Sequence, residues 1–200
     1  MNNALMEWSV LLPEIILASG ICVLLIMDLF VRDSARDLSY LFAIFLLAGV
    51  AWVLIGTNPE VTAQLAAGGA YVADGLARVL KLFAVTAVAT VFLYSRPWLR
   101  SRNLHFGEYY VLGLFGLLGV MVLASGYSLL VSYIGLEILS LSLYAMVAFD
   151  RDSARSAEAA MKYFVLGAIA SGTLLYGMSL IYGITGTLQI GELQTAIAAK

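Results

Sequence analysis

Two ionisable side chains stand where apolar ones are expected. Glu137 interrupts SYIGLEILSLSLYAMVAF, and Lys162 interrupts EAAMKYFVLGAIASG. An ionised carboxylate inside a hydrocarbon layer costs a few kcal/mol, so it must be protonated, paired or hydrated by an internal cavity. Each of those states ties the group to a proton or to a partner, and that is the chemistry of proton uptake and release. Tyr133, Glu137, Ser140 and Tyr144 recur at i, i+4, i+7 and i+11, which places them on one helical stripe able to carry hydroxyls and water. A glutamate that only hydrogen-bonds neighbouring helices is the plainer reading of the same pattern. Lys162 has plainer readings too: it can snorkel to the headgroups, or pair with Glu158 at i−4.

The other polar residues offer less. Lys81 and Arg78, with Asp74 just before them, read as an interfacial anchor with local pairing, and Asp28 reads as an interfacial partner of Arg32. Cys22 is the only cysteine and lies in an apolar run, where packing is the expected role. His105 is the only histidine and follows three arginines in a loop. Neither can build a thiol or imidazole metal cluster, and no nucleophile triad, P-loop or dinucleotide fingerprint occurs.

The elements that must hold Glu137 and Lys162 follow from composition. The chain has 200 residues, 62% of them hydrophobic and only 12% charged, with a net charge of −2. A soluble domain needs roughly twice that charge density, so long apolar surfaces must face lipid. Six runs are long enough to cross a bilayer, at 11–31, 38–55, 77–94, 109–124, 128–149 and 157–182. They are continuous rather than alternating, which selects helices over a barrel. The expected fold is all-α: one polytopic membrane domain over 1–200 with six transmembrane helices. In this frame Glu137 lies near the bilayer midplane, and Lys162 lies two to three turns into the sixth helix if Asp152 or Ser153 caps it. The Gly-rich connection GTNPEVTAQLAAGGAYVADG suits a short hairpin or surface turn.

Arginine placement gives the orientation. Arg32, Arg36, Arg96, Arg100, Arg102, Arg151 and Arg155 all fall in the loops after the first, third and fifth helices. Basic loops stay cytoplasmic, so the N-terminus is expected on the periplasmic side of a bacterial inner membrane. Trp8, Trp52, Trp98 and the pair Tyr109–Tyr110 fall near helix ends, as interface anchors would. The apolar run behind MNNALMEWSVLLPEII is too long for a signal peptide, and that segment, with Glu7 and Glu14, has no basic leader. Neither charge nor motif suggests nucleic acid.

The stretch from SYIGLEILSLSLYAMVA to EAAMKYFVLGAIASG resembles the subunit N family of bacterial NADH–quinone oxidoreductase, respiratory complex I. It is similar to the chloroplast and mitochondrial subunit 2 homologues and, more distantly, to Mrp-type Na⁺/H⁺ antiporter subunits. GLEILSLSLYAMVA resembles the family's fifth helix, whose essential glutamate is Glu137 here, and EAAMKYFVLGAIASG its sixth, whose lysine is Lys162 here. ADGLARVLKLF looks like the third helix, with no role carried onto Lys81. The resemblance implies the N-terminal part of an antiporter-like fold, with the chain stopping before the family's seventh helix. It implies proton translocation through Glu137 and Lys162, coupled to quinone reduction, beside other membrane-arm subunits. It also implies no cofactor on this chain: NADH, FMN, iron–sulfur clusters and quinone belong to the whole complex. An Mrp-type cation/proton antiporter subunit and a transport-incompetent structural fragment are the competing readings.

Overall fold

The computed structural model describes residues 10–30, 37–56, 64–102, 104 and 107–198. Six helices long and apolar enough to cross a membrane follow one another: α1 Leu12–Phe30, α2 Asp37–Gly56, α3 Gly75–Ser101, α4 Gly107–Ser125, α5 Leu129–Val147 and α6 Ala154–Thr185. A hairpin of β1 Gln64–Ala66 and β2 Tyr71–Ala73 joins α2 to α3, and a nine-residue helix α7, Ile190–Ala198, follows α6. The all-α membrane bundle expected from the apolar runs is thus the fold observed, and the Gly-rich connection does form a hairpin. Its turn is Ala67–Gly69, where Ala67, Gly68 and Gly69 all have positive φ.

Helix lengths differ from the apolar runs where polar groups extend the helices. The third run ends at Tyr94 on hydropathy, yet α3 continues through Pro97 to Ser101. Arg96 and Arg100 both reach Asp37 at the start of α2, Arg96 at 3.0 Å, and Leu99 is buried, so the last turns are held from outside. At the other end Asp74 caps α3 by accepting from Ala77 N at 2.7 Å. Helix α6 is longer than 157–182 because Ser153 accepts from Ser156 N and Gly186, at φ 73°, closes the far end. No apolar run signals α7; it begins where Gln189 N donates to the Thr187 hydroxyl oxygen and Thr187 Oγ1 donates to Glu192.

Helix α4 is the hub and packs against α1, α2, α3 and α5. Leu17, Ile21 and Leu24 of α1, Ala43, Leu47 and Val50 of α2, Phe92 of α3 and Leu114, Leu117 and Met121 of α4 form the core. Tyr110 belongs to it as well. Expected at the interface, it is fully buried against the rings of Tyr40 and Phe92, because α4 starts two residues earlier than its apolar run. Outward, Phe45, Trp52, Phe83 and Tyr94 are 73% to 86% exposed, a surface that only lipid or protein can cover. Cys22 also faces outward rather than packing inside.

Because lipid tails are as apolar as leucine, helices here associate by close packing. The closest approach is α4 on α5. A Cβ on Gly119 would stand 2.6 Å from Leu139 N and 2.7 Å from Gly135 O, and one on Gly135 would stand 2.8 Å from Leu123 N. These two glycines let backbone touch backbone and so fix the rotation of α5, which decides where Glu137 points. Gly119→Leu should separate the two helices at a cost of roughly 1–3 kcal/mol or more, as overpacking does. A lowered melting temperature of the detergent-solubilised chain, with Gly49→Leu (open space on α2) unchanged, is the expected result.

Candidate functional site

Glu137 is the ninth of the 19 residues of α5, about 12 Å from its start at 1.5 Å per residue, and so close to the middle of the span. Its side chain is half-buried on the face turned to α6, where Ser171 Oγ donates to its Oε1. The Tyr133 phenol, one turn nearer the hairpin, interacts with the same carboxylate. One turn pair further along, Tyr144 packs edge-on against Tyr163 at 4.9 Å and Phe164 at 5.6 Å. Its hydroxyl occupies the space a side chain at Gly167 would need, 1.9 Å from the Cβ position. Tyr133, Glu137 and Tyr144 of the stripe read from spacing thus lie along the α5–α6 seam. On α6, Gly167 and Ser171 face this seam, whereas a Cβ on Gly172 would meet nothing within 4 Å.

Lys162 does not join it. The residue lies eight positions into α6, roughly 12 Å along the axis, with its side chain 70% exposed and bonded to Glu158. Of the readings weighed for Lys162, pairing with Glu158 is the one observed; the lysine is exposed because α6 has no buried residue among the described ones, α5 covering one side of it and the opposite side being open. The i−4 carboxylate satisfies the ammonium meanwhile.

A second ionisable constellation was not foreseen. Lys81, read from sequence as an interfacial anchor, is 3% exposed, and its Nζ lies 2.7 Å from Oε1 of Glu14, itself 7% exposed. The same ammonium donates to Tyr71 Oη at 2.8 Å. Burial, and then the charge of Glu14, push the Tyr71 phenol well above its ordinary value, which keeps it neutral. Local spacing could not reveal this pair, because Glu14 and Lys81 come from α1 and α3. The available signal was the presence of opposite charges in two helices entering from the same end.

A further group of charges lies at the other end. Arg96 and Arg100 converge on Asp37, Arg96 also stacks over Tyr40 at 4.5 Å, and Arg151 pairs with Glu108. Asp28 accepts from Ser39 Oγ at 2.7 Å. Its expected partner Arg32 lies outside the described residues, as do Arg36, Trp8 and His105. A cavity of about 810 Å³ opens here between α1, α4 and α5, lined by Asp28, Glu108, Phe149 and Arg151. Among the described residues no three His, Cys, Asp or Glu side chains converge as metal ligands.

Residues 126–200 match the family model described as NADH:quinone oxidoreductase/Mrp antiporter, TM. The chain is 55% identical over 182 residues to NADH-quinone oxidoreductase subunit N of Thioalkalivibrio sulfidiphilus, covering 90% of this chain and 38% of that protein. It is 50% identical to subunit N of Thiobacillus denitrificans over 96% of this chain and 40% of that protein. Its fold matches a chain of respiratory complex I from Thermus thermophilus with bound aureothin, at a TM-score of 0.74 and 31% identity, over 90% of this chain and 38% of the other. The resemblance carried by GLEILSLSLYAMVA and EAAMKYFVLGAIASG is borne out, and this chain spans about two fifths of the curated relatives it matches.

The seam gives a direct test of its packing. Gly167→Val should drive Tyr144 off α6 and loosen the α5–α6 pair by roughly 1–3 kcal/mol. In the detergent-solubilised chain, a lower melting temperature for Gly167→Val and none for Gly172→Val is the expected contrast.

Proposed function

We propose that this chain, a relative of NADH-quinone oxidoreductase subunit N, serves as a proton-translocating membrane-arm subunit, with Glu137 as its proton carrier. The observation that carries the reading is a carboxylate at the middle of a membrane helix, held by a hydroxyl from the next helix. A carboxylate in that setting is stable when its surroundings supply a proton, a donor or a cation, and changing one of these changes its protonation state. Redox energy released elsewhere in the complex would act by altering charge near Glu137. The site's own residues do no redox chemistry in this scheme; they bind, hold and pass a proton.

Lys162 is assigned to the same relay. Its open face on α6 is where a neighbouring helix would pack, and its ion pair with Glu158 is an exchangeable partner rather than a permanent one. Drawing Lys162 toward a new anion would free Glu158, and the charge felt along the seam would change. Other membrane subunits of such a complex, together with lipid, are the partners that suit the apolar outer surface.

The basic end is assigned to the cytoplasm and the hairpin end to the periplasm, following the arginine bias. In a Cys22→Ser background, Leu65→Cys should react with a membrane-impermeant maleimide from the periplasmic side and Ser101→Cys should not. The opposite labelling pattern overturns the orientation.

Glu137→Gln in the full-length subunit keeps the hydrogen-bonding shape but cannot ionise. Proton pumping coupled to quinone reduction should fall roughly tenfold or more, given what positioned acid–base groups contribute. Wild-type pumping and coupled activity would rule the role out. A second reading, an Mrp-type cation/proton antiporter subunit, is favoured by the description of the matching family model, which names both. Sodium-dependent proton exchange without NADH or quinone would select it.

A further inference from the structure

Glu14 and Lys81 are buried ionisable groups that the relay above does not use. Each is within a few residues of the hairpin end of its helix: Glu14 is the third residue of α1, and Lys81 lies six residues into α3. They are nevertheless shielded, because β2 closes over them and brings in Tyr71, 4% exposed. Below Tyr71 lies Ser125 at the end of α4, fully buried, which interacts with the Tyr71 phenol. Glu14 Oε2 is buried without a hydrogen-bond partner among the described residues. Buried polar atoms are rarely left that way, and unsatisfied ones mark places where a proton or a bound group is handled. The other charges near this end among the described residues are otherwise engaged: Asp74 caps α3 through Ala77 N, Arg78 donates to Ile55 O at 2.8 Å, and Glu192 accepts from Thr187 Oγ1.

Main-chain contacts run from this cluster to the start of α5, the helix that carries Glu137. Tyr71 pairs through its backbone with Gly126, whose carbonyl accepts a long hydrogen bond from Ser132 Oγ at 3.5 Å. The next residue, Tyr133, interacts with Glu137. We propose that Glu14, Lys81 and Tyr71 form a second proton-holding site, which receives protons leaving the seam and releases them to the aqueous phase beyond the hairpin. The proposal rests on the proton-translocation reading of Glu137. A proton arriving on Glu14 Oε2 converts the carboxylate to a neutral acid and leaves the Lys81 ammonium bonded to Tyr71 Oη. Loss of that proton to the hairpin side restores the ion pair, so one proton enters and one leaves.

The test uses the full-length subunit in its assembled membrane complex. Glu14→Gln with Lys81→Met removes both charges at similar volume and so avoids a stranded buried ion, while Glu14→Asp retains the acid. Proton release per quinone reduced should fall roughly tenfold or more in the double variant, and Glu14→Asp should keep it. Infrared difference spectra recorded on acidifying the hairpin-side medium should contain a carboxylic C=O band that moves in Glu14→Asp. The double variant pumping as wild type while Glu137→Gln is defective would overturn the proposal and leave the Glu137 reading intact. Glu137→Gln pumping as wild type would remove that reading itself. If the double variant does not assemble, the infrared band decides: no Glu14-dependent band overturns the proposal.

Discussion

Hydrocarbon offers no partner to a charge, so every ionisable group within the spans must be answered by another part of the chain or by a neighbour. Much of this bundle's arrangement follows from that constraint. Lys81 finds Glu14 across two helices, Asp37 gathers two arginines, Glu137 takes the Ser171 hydroxyl, and Lys162 turns back to Glu158. Apolar side chains do not discriminate between lipid and protein in the same way. They fill the hub around α4, but the rotation of each helix is set by where its charges and its glycines must go.

The extent to which sequence alone conveyed this depends on the range of each interaction. Hydropathy and helix-end chemistry are local, and they located all six spans, narrowed the α6 cap to Asp152 or Ser153, and marked the connection that forms the hairpin. The stripe of Tyr133, Glu137 and Tyr144 was legible because helical spacing is local too. The two lysines show the limit. Lys162 reads as buried because its neighbours are apolar, but burial requires a second helix on its side of α6, and none of the described helices lies there. Lys81 reads as an anchor because it lies close to a helix start, yet α1 and the hairpin enclose it. Burial of a membrane lysine is a tertiary property, and spacing along one helix does not encode it. Tyr110 misled for the same reason: a position near a helix end suggested the headgroups, and the core took the ring.

The two carboxylates differ in how they are held. Glu14 is paired directly with a cation, and Glu137 leans on a neutral hydroxyl. A neutral donor stabilises a carboxylate less than an ammonium does, so the charge of Glu137 depends more on what surrounds the seam. That sensitivity suits the proton-carrying role proposed for Glu137, and the α4–α5 backbone contact holds the helix that carries it in place.

The hairpin end is laced together by main-chain bonds. Tyr127 N donates to Ala70 O, Leu129 N to Leu188 O, Ile190 N to Tyr127 O, and the Gln189 amide reaches Gly68 O. Before the far end of α6 the described main-chain bonds stay within the turn from α5, and the Arg151–Glu108 pair ties that turn to α4. Main-chain bonds thus tie α6 across to the hairpin at one end only, and any swing about that end would grow with distance from it. Ser171 lies about 21 Å from the end of the helix at Thr185 and Lys162 about 35 Å, at 1.5 Å per residue. A tilt that barely disturbs the hydroxyl on Glu137 would sweep the ammonium through an arc more than half as large again, making the helix a lever between the two.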